Sequence, residues 1–285
     1  MSMTLGEPVF LRNLKLFPIH DDHPSSGNGN YTTVDEVLKS KKGAFHELDT
    51  PDINTISFEN DSDSPVVMID GEEITGAFQN RIIAASSLVE SHTSRELAVI
   101  CAEEGRWNEI GGFRSGQCSY PRLRSVLAKS RSQKKDAQQH VWNEIERKLT
   151  VTKTRSTTSS MHDIFVSLDD EVHRYLEGFT GLDGQTVGFI GCAGDRILGC
   201  DIFCQPSLYR NFEKKLIRSY ALDALEYQRT ANRPLDVTRF LDSISKALHA
   251  RSIRRRHMHI TTKIVRGQAL VHNKRPVHVS AFPAR

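Results

Sequence analysis

Apolar and polar positions change rhythm several times along the 285 residues. Between about Ile53 and Trp107 short apolar runs alternate with turn formers. PVVMI (65–69) reads as a buried strand, Asp70-Gly71-Glu72-Glu73 as the turn after it, and ELAVICA (96–102) as a second buried run. Strand, turn and strand at this spacing predict an antiparallel β-sandwich or half-barrel. Upstream, residues 8–19 mix apolar and polar positions as an opening strand. Residues 21–30, rich in Gly, Pro, Asn and Ser, read as a loop. Thr33 with Glu36 three positions on is a capping box that opens a short helix, closed near Gly43. The runs 44–48 and 53–58, separated by Thr50-Pro51-Asp52, carry the β-branched and aromatic content of strands.

After Trp107 the pattern lengthens. Residues 111–121 hold three glycines and a proline without an apolar period and read as a loop, a lid or a linker. Leu123, Val126 and Leu127, then Ala137, Val141, Ile145 and Leu149, recur at helical spacing. A polar connection at 152–160 precedes Met161, Phe165, Leu168, Val172, Leu176 and Phe179. These form one helical stripe closed by Gly178 or Gly181, whose packing role is that of core. Residues 185–204 form two glycine-rich strands around Gly194-Asp195, a hairpin signal. Helices follow at 207–225 and from Val237 to Leu248, with a break at 232–234. Strands return at the end, around a turn at Arg266-Gly267-Gln268. The prediction is a mixed α+β fold: a β-rich part over 1–110, and a helical and hairpin part over 111–285 packed with it as one compact unit. A doubly wound sheet is not expected without steady βαβ alternation.

Composition narrows the class. Hydrophobic residues make up 38% and charged residues 26%, which predicts a folded chain with a substantial core. A formal charge of +3 gives no global signal for nucleic acid. Two local basic groups, residues 122–135 and Arg251, Arg254, Arg255 and Arg256, either face phosphate or solvate a surface. The opening residues lack the basic region and apolar core of a signal peptide, and no run reaches the ~20 apolar residues of a membrane helix. A cytoplasmic protein with no membrane partner is the expectation. Five cysteines without CxxC spacing fit a reducing compartment and give no zinc pattern. With no HExxH, Walker or GxGxxG motif, neither a metal nor a cofactor is expected.

Candidate chemistry concentrates between residues 70 and 107. Asp70, Glu72 and Glu73, where a strand meets a glycine turn, suit a general base or metal ligand, or simply an acidic turn. Gln79, Asn80 and Arg81 suit a base or ribose together with a phosphate, or a loop with an internal salt bridge to Glu72 or Glu73. Cys101 ends an apolar run. As a nucleophile it needs an activating partner such as His272 or His278, and otherwise it is a small core residue. Glu103 is a second candidate base. Arg106 and Trp107 either clamp a base by stacking or cap a strand.

These residues also carry a likeness. PVVMIDGEEITGAFQNRI followed by ICAEEGRW resembles the ARG-and-rhodanese-phosphatase-superfamily-associated protein domain family, a domain of unknown function found mostly in prokaryotes. LRNLKLFPI, TVDEVL, VGFIGCAGDRILGCDIF, KKLIRSYALDAL and VHVSAF extend the likeness over nearly the whole chain. The resemblance maps the family pattern onto Gly71, Glu72, Gln79, Asn80, Arg81, Cys101, Glu103, Arg106 and Trp107, and more weakly onto Asp201 and Phe203. The 21–30 loop and the run Arg254, Arg255, Arg256 fall outside it. It implies a setting beside ADP-ribosylglycohydrolases and phosphatase-like enzymes, in NAD- and ADP-ribose-handling systems that include RNA repair and phage conflict. The expected function is binding or processing of an ADP-ribose-like or other nucleotide-derived ligand, as a hydrolase if it is an enzyme. Glu72, Glu103 and Cys101 would be catalytic. Gly71, Gln79, Asn80, Arg81, Arg106, Trp107 and Asp201 would bind ligand. The alternatives are a non-catalytic ligand- or protein-binding module and, last, an RNA-binding accessory.

Overall fold

The computed structural model describes residues 3–21, 29–133, 137–227, 235–249 and 256–284. In chain order the first elements are strands β1 (Met3–Leu5), β2 (Val9–Leu11), β3 (Leu14–Asp21) and β4 (Thr32–Thr33), then helix α1 (Val34–Lys39). Strands β5 (Gly43–His46), β6 (Thr55–Asn60), β7 (Val66–Met68), β8 (Glu72–Thr75) and β9 (Arg81–Ile83) follow, with β10 (Ser87–Val89), β11 (Thr93–Cys101) and β12 (Arg114–Cys118). Helices α2 (Pro121–Gln133), α3 (Ala137–Thr152), α4 (Met161–Ser167) and α5 (Asp169–Leu176) lead to the strands β13 (Thr186–Ala193) and β14 (Arg196–Phe203). The chain closes with α6 (Pro206–Ala224), α7 (Val237–His249), β15 (His257–Thr261), β16 (Val265–His272) and β17 (Arg275–Pro283). The class is α+β, as the patterning predicts. No helix among the described residues is long and apolar enough to cross a membrane.

The chain forms two compact units. Unit 1 holds Met1–Ser26, Tyr120–Lys134 and Asp169–Arg285; unit 2 holds Gly27–Ser119 and Lys135–Leu168. This division differs from a cut at residue 110, because the opening strands belong with the distant hairpin. In unit 1 the antiparallel sheet runs β1-β3-β13-β14-β17-β16-β15, and β2 folds back on β3. Leu14–Ile19 thus register against Gly188–Ala193. Helix α7 presents Val237, Phe240, Leu241, Ile244 and Leu248 to the core that Ile190, Ile202 and Val279 share. Each such burial contributes roughly 1.5–3 kcal/mol before chain entropy is set against it. Helix α6 lies on β13 so closely that a Cβ at Gly191 would stand 2.2 Å from the Tyr220 ring.

Unit 2 holds a sheet in the order β12-β8-β9-β11-β6-β5 and a smaller one, β10-β7-β4, whose β4–β7 pair is parallel. Its core gathers Val37, Phe45, Phe58, Val66, Met68, Ile74 and Leu97. The Thr33–Glu36 capping box is present at α1. It satisfies backbone N–H groups that the first helical turn leaves unpaired.

Three expectations are corrected. Residues 111–121 are not all loop: β12 lies within them and pairs with β8, with an irregular register between Ser115 and Cys118. Gly116 serves close approach there, since a Cβ would meet the Glu73 carboxylate at 2.3 Å. The stripe from 161 to 179 is two helices, broken at Leu168 (φ −111°, ψ 19°), where unit 2 gives way to unit 1. Arg266, Gly267 and Gln268 lie inside β16, paired to β15 and β17. The reversals come at Thr262, whose N–H donates to Val265, and at Asn273-Lys274, where φ is 50° and 61°. Of the predicted loop 21–30, residues 22–28 lie outside the described residues, as do the break at 232–234 and Arg251, Arg254 and Arg255.

Candidate functional site

In unit 2 the turn after β7 is tied down by its own polar groups. Gly71 takes φ 86°, a conformation that favours glycine. Its carbonyl accepts from Ser119 N and Oγ at 2.7 and 2.8 Å. The Glu72 carboxylate accepts from Ile69 N–H (2.8 Å) and so closes the turn. Ser86 Oγ donates to the buried Asp70 at 3.0 Å. These are the partners that a buried turn requires.

Arg106, Glu103 and Asn80 form one buried cluster. The Arg106 guanidinium donates through Nε and Nη2 to the two Glu103 oxygens, and through Nη1 to the Ala77 and Asn108 carbonyls at 2.7 and 2.9 Å. Glu103 also accepts from Asn80 N–H (3.1 Å), and the Asn80 side-chain oxygen accepts from Gly76 N–H. A carboxylate in this fork–fork pair is shielded from acting as a base. Arg81, fully buried, donates to Glu47 at 2.8 Å and lies 5.8 Å from the Phe113 ring centre. Its partner is Glu47, not Glu72 or Glu73. Cys101 is buried and donates to Gln79 Oε1, while Gln138 pairs with its backbone N–H and carbonyl. Burial pushes the Cys101 thiol up to about 11, against the pull of the Arg81 charge. It is therefore a thiol near neutral pH and a poor nucleophile.

Trp107 faces outward. It is 49% exposed and stacks on Phe78 with ring centres 5.5 Å apart. With Leu48, Thr50, Pro51, Asp52 and Ile53 it lines an open cleft of about 630 Å³. Arg81 and Cys101 lie one hydrogen bond behind this wall. Arg81 Nη2 donates to the Asp52 carbonyl (3.5 Å), and the Cys101 thiol approaches the Ile53 carbonyl (3.7 Å). The structure thus gathers Gln79, Asn80, Arg81, Cys101, Glu103, Arg106 and Trp107 around β9 and the end of β11, but leaves only the indole open. Thr50, Pro51 and Asp52 read in sequence as a mere separator, and Ile53 as the start of a strand. Their part in the cleft comes from tertiary contact, which no local pattern signals.

Elsewhere in unit 2 the buried Glu73 carboxylate accepts from Gln117 N–H and meets His162 Nδ1 at 3.0 Å. That hydrogen bond raises the half-exposed His162 above its ordinary value.

Asp201 belongs to unit 1 and has no exposed surface. Arg124 donates to both its oxygens (2.6 and 2.9 Å), Tyr220 Oη donates at 2.8 Å, and His278 Nε2 lies at 3.0 Å. His278, considered above as an activator of Cys101, is engaged in this network. Phe203 stacks on Phe212 with ring centres 5.1 Å apart. Asp201 and Phe203 are thus core of unit 1. No group of three or more metal-ligating side chains occurs among the described residues, and all five cysteines are buried and outside any disulfide.

A family model described as the ARG and Rhodanese-Phosphatase-superfamily-associated Protein domain matches residues 2–282. No curated protein and no solved structure matches the chain.

Proposed function

The chain belongs to the ARG and Rhodanese-Phosphatase-superfamily-associated Protein domain family, and on that premise we propose that unit 2 is a recognition module for a nucleotide-derived ligand of the ADP-ribose kind. The observation that carries this reading is the outward indole of Trp107, braced by Phe78 at the edge of a cleft. A base stacks on such a face for roughly 1–3 kcal/mol. Asp52 and Thr50 add the acceptor and hydroxyl that suit ribose hydroxyls, and Leu48, Pro51 and Ile53 add apolar contact. The buried Arg81 acts from behind by holding the Asp52 carbonyl, and Arg106 holds the Asn108 carbonyl next to Trp107.

Recognition is favoured over turnover by the state of the candidate catalytic groups. Glu72 is spent on a backbone N–H, Glu103 on Arg106, and Cys101 is held as a thiol. Calorimetry with ADP-ribose tests the reading. Trp107→Ala should weaken binding roughly 5- to 150-fold while the fold, followed by circular dichroism, is unchanged. Unaltered affinity in that variant, or ADP-ribose turnover abolished by Glu72→Gln, would refute it.

A further inference from the structure

A second cleft, of about 710 Å³, lies in unit 1; of its lining residues only those of the basic stretch 122–135 were considered above as facing phosphate. Four separate parts of the fold deliver cations to it. Arg122 and Lys129 come from one face of α2, Arg196 from the start of β14, Arg239 from α7 and Arg266 from β16. Asp195, Asp223 and Asp236 are the carboxylates in the lining, so five cations face three. Each carboxylate already has a task. Asp223 accepts from Arg122 N–H (2.7 Å) at the start of α2, Asp236 from Arg239 N–H (3.0 Å) at the start of α7, and Asp195 lies 4.0 Å from Arg196 Nε.

Two further observations point to a ligand. The Arg266 Nε–H is buried and has no acceptor among the described residues. A buried donor left unpaired costs about 1–3 kcal/mol, more for a charged group, so an acceptor supplied from outside would be favoured there. The cleft is also more than a basic patch. Tyr227 lies 5.1 Å from the Arg196 guanidinium, and Ile197, Leu198, Phe240 and Ile264 supply apolar wall. A volume in this range, with apolar walls and a few convergent charges, suits a small molecule better than a polymer.

We propose that this cleft is a binding site for an organic phosphate: the phosphate oxygens meet Arg239 and Arg266, and the carbon-rich portion lies against Tyr227 and Phe240. Arg provides this contact because its planar fork donates two hydrogen bonds to one phosphate. The site goes beyond the Trp107 cleft of unit 2, which has no cation in its lining.

The test is calorimetry with ADP, pyrophosphate and adenosine as probes. It is run on the full chain carrying Trp107→Ala, so that the unit 2 reading neither helps nor harms the result. ADP should bind, and Arg266→Ala and Arg239→Ala should each weaken it roughly tenfold or more. Arg239 is exposed on α7, so its variant tests the site without disturbing a buried group. Pyrophosphate and adenosine should each bind more weakly than ADP. ADP affinity that survives both arginine variants overturns the site. Pyrophosphate binding as tightly as ADP overturns the organic part of the ligand.

Discussion

Replacing Asp201 with Asn keeps the shape of the side chain and removes its charge. In the native chain Arg124 and Asp201 are both without exposed surface, and the pair is completed by Tyr220 and His278. Asp201→Asn leaves the Arg124 guanidinium buried without a counter-charge and turns one acceptor oxygen into a donor that faces other donors. Breaking a buried pair from one side costs about 3–5 kcal/mol, because the stranded charge has no water to return to. At roughly 2–4 °C per kcal/mol for a domain of 150–250 residues, the midpoint of thermal unfolding should fall by about 6–20 °C. Urea titration followed by far-UV circular dichroism gives the free energy directly. The companion change Arg124→Met should partly rescue Asp201→Asn, so the double variant loses less than the two single losses together. A loss below about 1 kcal/mol, the scale of an exposed pair, would refute the reasoning. pH supplies a second check. Burial alone would raise the Asp201 carboxyl, yet the Arg124 charge and the hydrogen bonds from His278 and Arg124 outweigh it and hold the group well below the usual carboxylate range. Its stabilising contribution is therefore complete above the unfolded value of about 3.9 and is lost as pH falls toward the folded one. Native stability should drop between pH 4 and pH 2 more steeply than that of Asp201→Asn.

Three further outcomes follow from the geometry. His162 is raised by its bond to Glu73, so its stabilising effect is present below the unfolded value of about 6.5 and is lost as pH rises through the folded one. Its ring protons in an NMR titration should move to lower pH in Glu73→Gln, and an unchanged midpoint would contradict the pairing. Gly191→Ala should destabilise by about 1–3 kcal/mol, since its Cβ would stand 2.2 Å from the Tyr220 ring; a neutral result in chemical denaturation would mean that α6 can move off the sheet. Cys101, with its thiol at about 11 and no exposed surface, should resist iodoacetamide at pH 7.5 until the chain unfolds, which mass spectrometry of the labelled peptide would read. Rapid labelling of the native protein would refute its burial.

Local signals carried far in this chain. The Thr33–Glu36 box, the Gly194 turn and the apolar faces of α6 and α7 are read from neighbours a few positions apart, and each stands where patterning put it. Strand β12 is hidden because Gly116 and the two glycines before the strand resemble a loop until Glu73 is known to press on Gly116. The candidates from Gln79 to Trp107 lie near one another while Asp201 belongs to the other unit, and sequence gives no direction to a side chain. Whether Arg81 meets a phosphate or Glu47 depends on the chain folding back over 34 positions. Of the basic cleft of unit 1 only the stretch 122–135 is visible in sequence; Arg196, Arg239 and Arg266 come from segments that no period or motif connects to it.

The opening strands of unit 1 reach their partners late in the life of the chain. His20 meets Asp183, 163 positions downstream, and the sheet is not closed until β17 emerges near the end. During synthesis, segment 14–21 must wait with an open hydrogen-bonding edge while the whole of unit 2 is translated, at about 5–20 residues per second. The delay is therefore roughly ten seconds or more. Chaperone capture of nascent chains should accordingly be strongest on that early edge, and a circular permutant that begins after unit 2 should escape it.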